Sequence, residues 1–264
     1  MDLVISLPLL LLAIVVHEVW GHKLFAETLT SLKPTFIAIG IPILKKKPQR
    51  TIKIWFVEIT IPEINIDTVW KKIERPNRTP VVLSWLMVGG GVGFDDKEYY
   101  SMGKVFEKLV MITAGPMVNI ALALILVTVF FDLETAVVVL KSYWLVSVDL
   151  LLALFTTSTV IEAINSHRFY EVTLSLAERS VWWQFVAYAA LWNISLAVTN
   201  LLPIPGLDGG QIVSTILINL FGERIVPIVK QINTVSAYVL IVISTIAMIW
   251  WVVSSLIGYL NTLG

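Results

Sequence analysis

Apolar residues run almost unbroken from Leu3 to Val16, and comparable runs recur over about 108–131, 183–202 and 235–258. A helix needs about 20 apolar residues to cross a bilayer core. The pattern therefore predicts four core spans, at about 3–27, 108–131, 183–202 and 235–258. Between the first two spans the pattern changes. Phe36 to Leu44, Ile52 to Ile61 and Val81 to Val88 are rich in β-branched and aromatic residues and read as strands, with Lys45-Lys46-Lys47-Pro48 as a polar turn. Pro42 restricts the first to a sheet edge. Alternation in the second slips phase at Phe56-Val57, as a bulge would produce. The third runs into Gly89-Gly90-Gly91. The 35–93 loop is thus expected to be β-rich and to lie at the membrane face with a sheet edge available. Residues 211–232 carry Glu223, Arg224 and Lys230 among apolar positions and predict an amphipathic interfacial helix.

Lysine and arginine set the expected orientation. Twelve fall in 29–106, three in 132–182, two in 209–234, and none before the first span or after the fourth. The strand-bearing loop is then cytoplasmic and both termini face outward. Ala136 to Leu154 is also apolar enough to span, but one extra crossing would separate Asp208 from His17. Residues 136–160 are therefore expected to lie along the surface, carrying Lys141 and Asp149, or to re-enter. His167, in the same connection, reads as a surface residue.

Composition sharpens the class. The chain is 57% hydrophobic and 14% charged, with ten Trp, against about 25% charged residues in soluble domains. An α-helical polytopic membrane protein is expected, folded as a single domain over 1–264 in a cell membrane, with the lipid bilayer as its solvent. Zero net charge argues against a nucleic-acid partner. The absence of cysteine removes thiolate metal sites and thiol nucleophiles. Residues 1–16 lack the basic start and cleavage site of a signal peptide, and read as a retained helix.

The chemistry is concentrated in His17-Glu18-Val19-Trp20-Gly21-His22, which holds two of the three histidines. Ionisable groups inside a span are costly and mark function. In His-Glu-x-x-His, two histidines on one helix face bind zinc and the glutamate acts as general base. Residues four apart diverge by about 40° on an α-helix, and residues five apart by about 140°. His22 stands five after His17. A π-type bulge between Glu18 and His22 would absorb the extra residue, and Gly21 lowers its backbone cost. Two histidines leave a catalytic zinc short of a third protein ligand. Asp208 is the best candidate, with an N-cap as its alternative role. An edge strand near 81–93, with Gly89, Gly90 and Gly91, offers β-addition to an extended peptide. Pro203, Pro205 and Gly206 are expected to keep the end of the third span open.

Three separated motifs, HEVWGH, Gly115-Pro116-x-x-Asn119, and Asn200-Leu-Leu-Pro-Ile-Pro-x-Leu-Asp208-Gly-Gly, together resemble the site-2 protease family of intramembrane zinc metalloproteases. HEVWGH also resembles the longer His-Glu-Leu-Leu-Gly-His motif of one dipeptidyl-peptidase group. The resemblance implies one zinc per chain on His17, His22 and Asp208, with Glu18 as the catalytic carboxylate. It implies a substrate-handling role for Asn200. It makes Gly89 to Gly91 similar to a membrane-facing hairpin, and Asn119 is read as a packing or site-shaping residue. The implied partner is a single-pass transmembrane substrate; oligomeric state is unreadable. The chain departs from the family pattern in its longer first motif and in having Ser195 where a second Asn is often found. It has no Gly-Pro upstream of the third span. The connection of about fifty residues leaves no room for the PDZ domain of many bacterial relatives. Two other readings stand beside this one: a proteolytically inactive relative that binds transmembrane helices, because of the HExxxH spacing, and a transporter using the buried charges as a relay.

Overall fold

The computed structural model describes residues 2–40, 50–54, 57–61, 69–75, 78–84, 89–131 and 181–261, together with residues 134, 136–138, 140, 141, 144, 145 and 148. The Lys45–Pro48 turn, His167 and residues 149–160 lie outside the described residues.

The first apolar run is helix α1 (Asp2–Val15). It passes without a break into a π-helical turn, Val16–Lys23, and returns to α-helix as α2 (Leu24–Leu29). Among the described residues six strands follow: β1 (Phe36–Ile39), β2 (Arg50–Ile54), β3 (Val57–Ile61), β4 (Val69–Arg75), β5 (Arg78–Ser84) and β6 (Gly90–Gly93). The remaining helices are α3 (Asp96–Tyr99), α4 (Val105–Phe130), α5 (Val181–Asn200), α6 (Asp208–Phe221) and α7 (Val226–Asn261), with a short 3-10 turn, Glu223–Ile225, before the last.

Among the described residues, three helical stretches are long and apolar enough to cross a membrane: Pro8–Leu29, Val105–Phe130 and Glu223–Ile246. The expected fourth, 183–202, is present as the 20-residue α5 but is not among them. Gln184, Asn193, Thr199 and Asn200 interrupt its apolar sequence. It packs on α4 through a cluster in which Ala123, Val127, Ala187 and Ala190 are fully buried. Small residues of this kind let helix backbones approach closely. Leu140 and Val148 pack on the same cluster and Ala136 belongs to it. The described part of the 136–160 segment is thus helical and seated on the bundle.

The strands differ from expectation in several ways. β1, expected at a sheet edge because of Pro42, is an inner strand paired on both sides, with β5 and β6. The phase slip at Phe56-Val57 is a chain reversal and not a bulge: β2 and β3 pair antiparallel, with Ile54 opposite Val57. The strand expected at 81–88 begins earlier, at Arg78, and is described as far as Ser84, residues 85–88 lying outside the described residues; it pairs with an unexpected β4. Gly90–Gly93 is itself a strand. The main sheet runs β4-β5-β1-β6, with β1 parallel to β5 and antiparallel to β6. The glycine strand is therefore a sheet edge. The helix expected over 211–232 is also divided. Gly222, at φ +78°, ends α6, and α7 starts at Val226 with Pro227 in its first turn, where a missing N–H costs nothing.

The first helix and α4 run antiparallel. Ser31 donates from its backbone N–H and its hydroxyl to Glu107 Oε2, at 2.5 and 2.7 Å. Ala26 clusters with Met111 and Ile112. Further along, a Cβ added at Gly21 would run into the Gly115 backbone. Asp95 caps α3, its carboxylate accepting from the Lys97 and Glu98 N–H groups. Phe94 and Tyr99 then pack on the Ala26 cluster, which seats the end of β6 against both helices. Replacing Gly21 by Ala should destabilise the fold by about 1–3 kcal/mol, the usual cost of forced overpacking, in unfolding measured in mixed micelles. An unchanged stability would contradict the close crossing.

Candidate metal centre

The π turn places the two histidines. Its i→i+5 bonding brings residues five apart to the face that residues four apart share in an α-helix. His17 and His22 are both buried, their rings edge to face with centroids 4.7 Å apart and their Nε2 atoms 3.0 Å apart. Gly115 makes room, because a Cβ there would lie 2.5 Å from His22 Nε2 and 2.7 Å from His17 Nε2. The second ring nitrogen of His22, Nδ1, lies 2.8 Å from the Met111 carbonyl oxygen. Donation to that carbonyl fixes the tautomer that leaves Nε2 with a free lone pair.

Asp208 arrives from the far side of the chain. After α5 the backbone turns through Leu201–Leu207, where Pro203 and Pro205 prevent the helix from continuing. A Cβ on Gly209 would strike the Leu201 and Leu202 carbonyls, and one on Gly210 the Ile204 carbonyl. The two glycines therefore let α6 start tight against the turn. Leu207, not Asp208, occupies the N-cap of α6. The Asp208 carboxylate faces the imidazoles, with Oδ2 3.1 Å from His17 Nε2 and Oδ1 3.3 Å from His22 Nε2. Ligand atoms of His17, His22 and Asp208 all lie within 4.8 Å of one another. Tetrahedral zinc with bonds of about 2.0–2.1 Å separates its ligand atoms by about 3.3 Å. The imidazole nitrogens are 3.0 Å apart and each lies 3.1 to 3.3 Å from a different oxygen of the Asp208 carboxylate, so a donor set of two imidazoles and a carboxylate is gathered at close to the required spacing.

Glu18 lies beside this cluster, buried, with Oε2 free of any hydrogen-bond partner. The glycine edge strand covers it. A Cβ on Gly90 would lie 2.7 Å from Glu18 Cγ and 3.0 Å from the Ala38 carbonyl oxygen, so only glycine fits there. Gly89 has φ +133° and its carbonyl accepts from the Gly40 N–H. Gly91 faces open space. Asn200 Nδ2 is 3.4 Å from His17 Nε2. Pro203 and Pro205 shape the turn but line neither cavity at the site, whereas Gly206 lines both. Asn119 is completely buried on α4, one turn beyond Gly115.

Two cavities meet at His17, Glu18 and Asn200. One, of about 400 Å³, has walls of mixed polarity, with Tyr99, Tyr100 and Gln211 among the polar members. The other, of about 360 Å³, is walled mainly by apolar residues such as Ile14, Leu196, Leu240 and Ile241. The Tyr99 hydroxyl donates to Gln211 Oε1 at 3.3 Å. Burial, with smaller contributions from Tyr100 and Asp208, pushes the Tyr99 phenol above its ordinary range, so it stays a donor. Sequence reasoning missed Tyr99, Tyr100 and Gln211. Gln211 carried a signal, as it stands one helical turn beyond Asp208. The tyrosines carried none, because the α3 fold-back brings them in. The Met111 carbonyl has no side-chain signature at all.

The sequence matches the family model of peptidase family M50 over residues 5–244. The chain belongs to peptidase family M50. No curated protein and no solved structure matches it. M50 is the site-2 protease family, a family of zinc metallopeptidases, and the matched span contains every residue named at the centre. Together with the three apolar helices, M50 membership makes this a membrane protein.

Deleting Trp20, which is 61% exposed, gives the four-residue spacing usual for His-Glu-x-x-His. The segment should then wind as continuous α-helix and hold zinc within about tenfold of the parent affinity, whereas His17→Ala should lose it. Equilibrium competition with a chelator measures both. A parent that binds zinc and a deletion that does not would contradict the π turn as the carrier of the extra residue.

Proposed function

We propose that this M50 chain is an intramembrane zinc endopeptidase that hydrolyses peptide bonds within or near transmembrane segments of single-pass membrane proteins. The observation that carries the reading is the convergence of His17, His22 and Asp208 beside a buried, unpartnered Glu18 oxygen. His17 Nε2, His22 Nε2 and an Asp208 oxygen would hold one zinc per chain, which would supply the Lewis acidity that lowers the pKa of a water toward neutrality. Glu18 takes the proton of the attacking water at its free Oε2 and delivers a proton to the leaving amine. Asn200, against His17, orients the substrate next to the centre.

A transmembrane substrate must be unwound, because a helix engages its carbonyls in intrahelical bonds. The outer edge of β6, unpaired among the described strands, offers main-chain partners to an extended peptide, and Gly90 holds that edge against Glu18. The apolar cavity provides an approach from the bilayer side, and the cavity of mixed polarity provides water. The lysine and arginine distribution puts the centre toward the cytoplasm and both termini outward. The main competitor, an inactive helix-binding relative, was motivated by the five-residue spacing. With both imidazoles on one face, the spacing no longer argues for it.

Glu18→Gln should retain one zinc per chain and slow cleavage of a reconstituted single-pass substrate by about 10²- to 10⁴-fold, the usual weight of a general base. Cleavage at the parent rate would remove Glu18 from the mechanism. A parent chain with well under one zinc would favour the inactive relative.

A further inference from the structure

Metal-ligating histidines almost always donate their second ring N–H to a fixed partner, which sets tautomer and ring angle. His22 does so at the Met111 carbonyl. His17 has no such partner: its Nδ1 is buried and makes no hydrogen bond within the protein. A second buried group is in the same condition. Asn119 is 0% exposed, and neither its Oδ1 nor its Nδ2 has a protein partner. Buried polar groups are rarely left unpaired, and each that is calls for an explanation.

The helix register puts the two groups together. The antiparallel pairing of the first helix with α4 is marked by Ser31 on Glu107, Ala26 with Met111 and Ile112, and Gly21 on Gly115. Continued by about one turn, the same register sets His17 opposite Asn119. Gly115 supports this level independently, since its Cβ direction points at the His17 ring and Asn119 is the next residue on that face of α4. A buried water needs two to four polar partners. His17 Nδ1 with the two ends of the Asn119 amide supplies three.

We propose that Asn119 is the positioning residue for His17: its Oδ1 accepts, through one buried water, the proton on His17 Nδ1. Asn119 thereby does for the first imidazole what the Met111 carbonyl does for the second. It holds His17 in the tautomer whose Nε2 lone pair faces His22 and Asp208. The inference rests on the zinc reading above and assigns Asn119 a role beyond packing.

The test compares the parent, Asn119→Leu and Asn119→Asp in zinc affinity, in the absorption bands of the Co²⁺-loaded protein, and in unfolding of the metal-free protein. Leu keeps the branched shape and the number of heavy atoms and removes both polar ends; Asp keeps the acceptor. The expected result for Asn119→Leu is a 10- to 100-fold loss of zinc affinity, the range found for lost outer partners of metal ligands. Its Co²⁺ bands should shift, and its metal-free stability should be no lower than the parent's. Asn119→Asp should recover most of the affinity. Unchanged affinity and Co²⁺ bands in Asn119→Leu would overturn the proposal, as would an affinity loss that Asn119→Asp fails to restore. A parent that binds no zinc would instead sink the metal reading itself, so the two failures are distinguishable.

Discussion

Two imidazoles five residues apart meet at one point only if the helix between them is wound more widely than an α-helix. The centre of this protein depends on that local winding. Val16–Lys23 is π-helical, and its neighbours are arranged around the consequence. Gly21 and Gly115 remove the two Cβ atoms that would hold the wider turn away from α4. The Met111 carbonyl takes the outer nitrogen of His22. Gly209 and Gly210 let Asp208 come round from α6 to close the third side. These glycines stand where backbone or imidazole approaches too closely for any side chain.

The second constraint is the cost of a carboxylate inside a span. Glu18 is buried, yet one oxygen is left without a partner, as a proton acceptor must be. The structure meets this with a cover and not with a salt bridge. β6 lays Gly90 over Glu18 while its own outer edge is unpaired among the described strands. One strand thereby shields the reactive carboxylate and presents main-chain groups beside it. A cavity of mixed polarity and a mainly apolar one reach the same carboxylate, which suits a reaction that needs water and an apolar substrate together.

Much of this was legible in the sequence, for specific reasons. His17, Glu18, His22 and Asp208 are ionisable residues in or at the ends of apolar runs, where chemistry has few alternative explanations. The π turn followed from counting residues against helical pitch. The strands were less legible. β2 and β3 read as one segment because the apolar pattern stays nearly continuous from one into the other, although the two pair antiparallel. β6 was invisible as a strand because glycines carry no alternation. The break at Gly222 was missed because amphipathic periodicity persists across it, while only a positive φ ends α6. Tyr99 and Asn119 mark the limit: the place of each depends on packing between elements distant in sequence.

The central claim is that both histidines of the π turn hold one metal. X-ray absorption at the zinc edge, on the parent and on His22→Ala, tests it most directly. The account predicts two imidazole nitrogens and oxygen donors at about 2.0–2.2 Å in the parent, and one imidazole fewer in His22→Ala. An identical first coordination shell in the two proteins would contradict it.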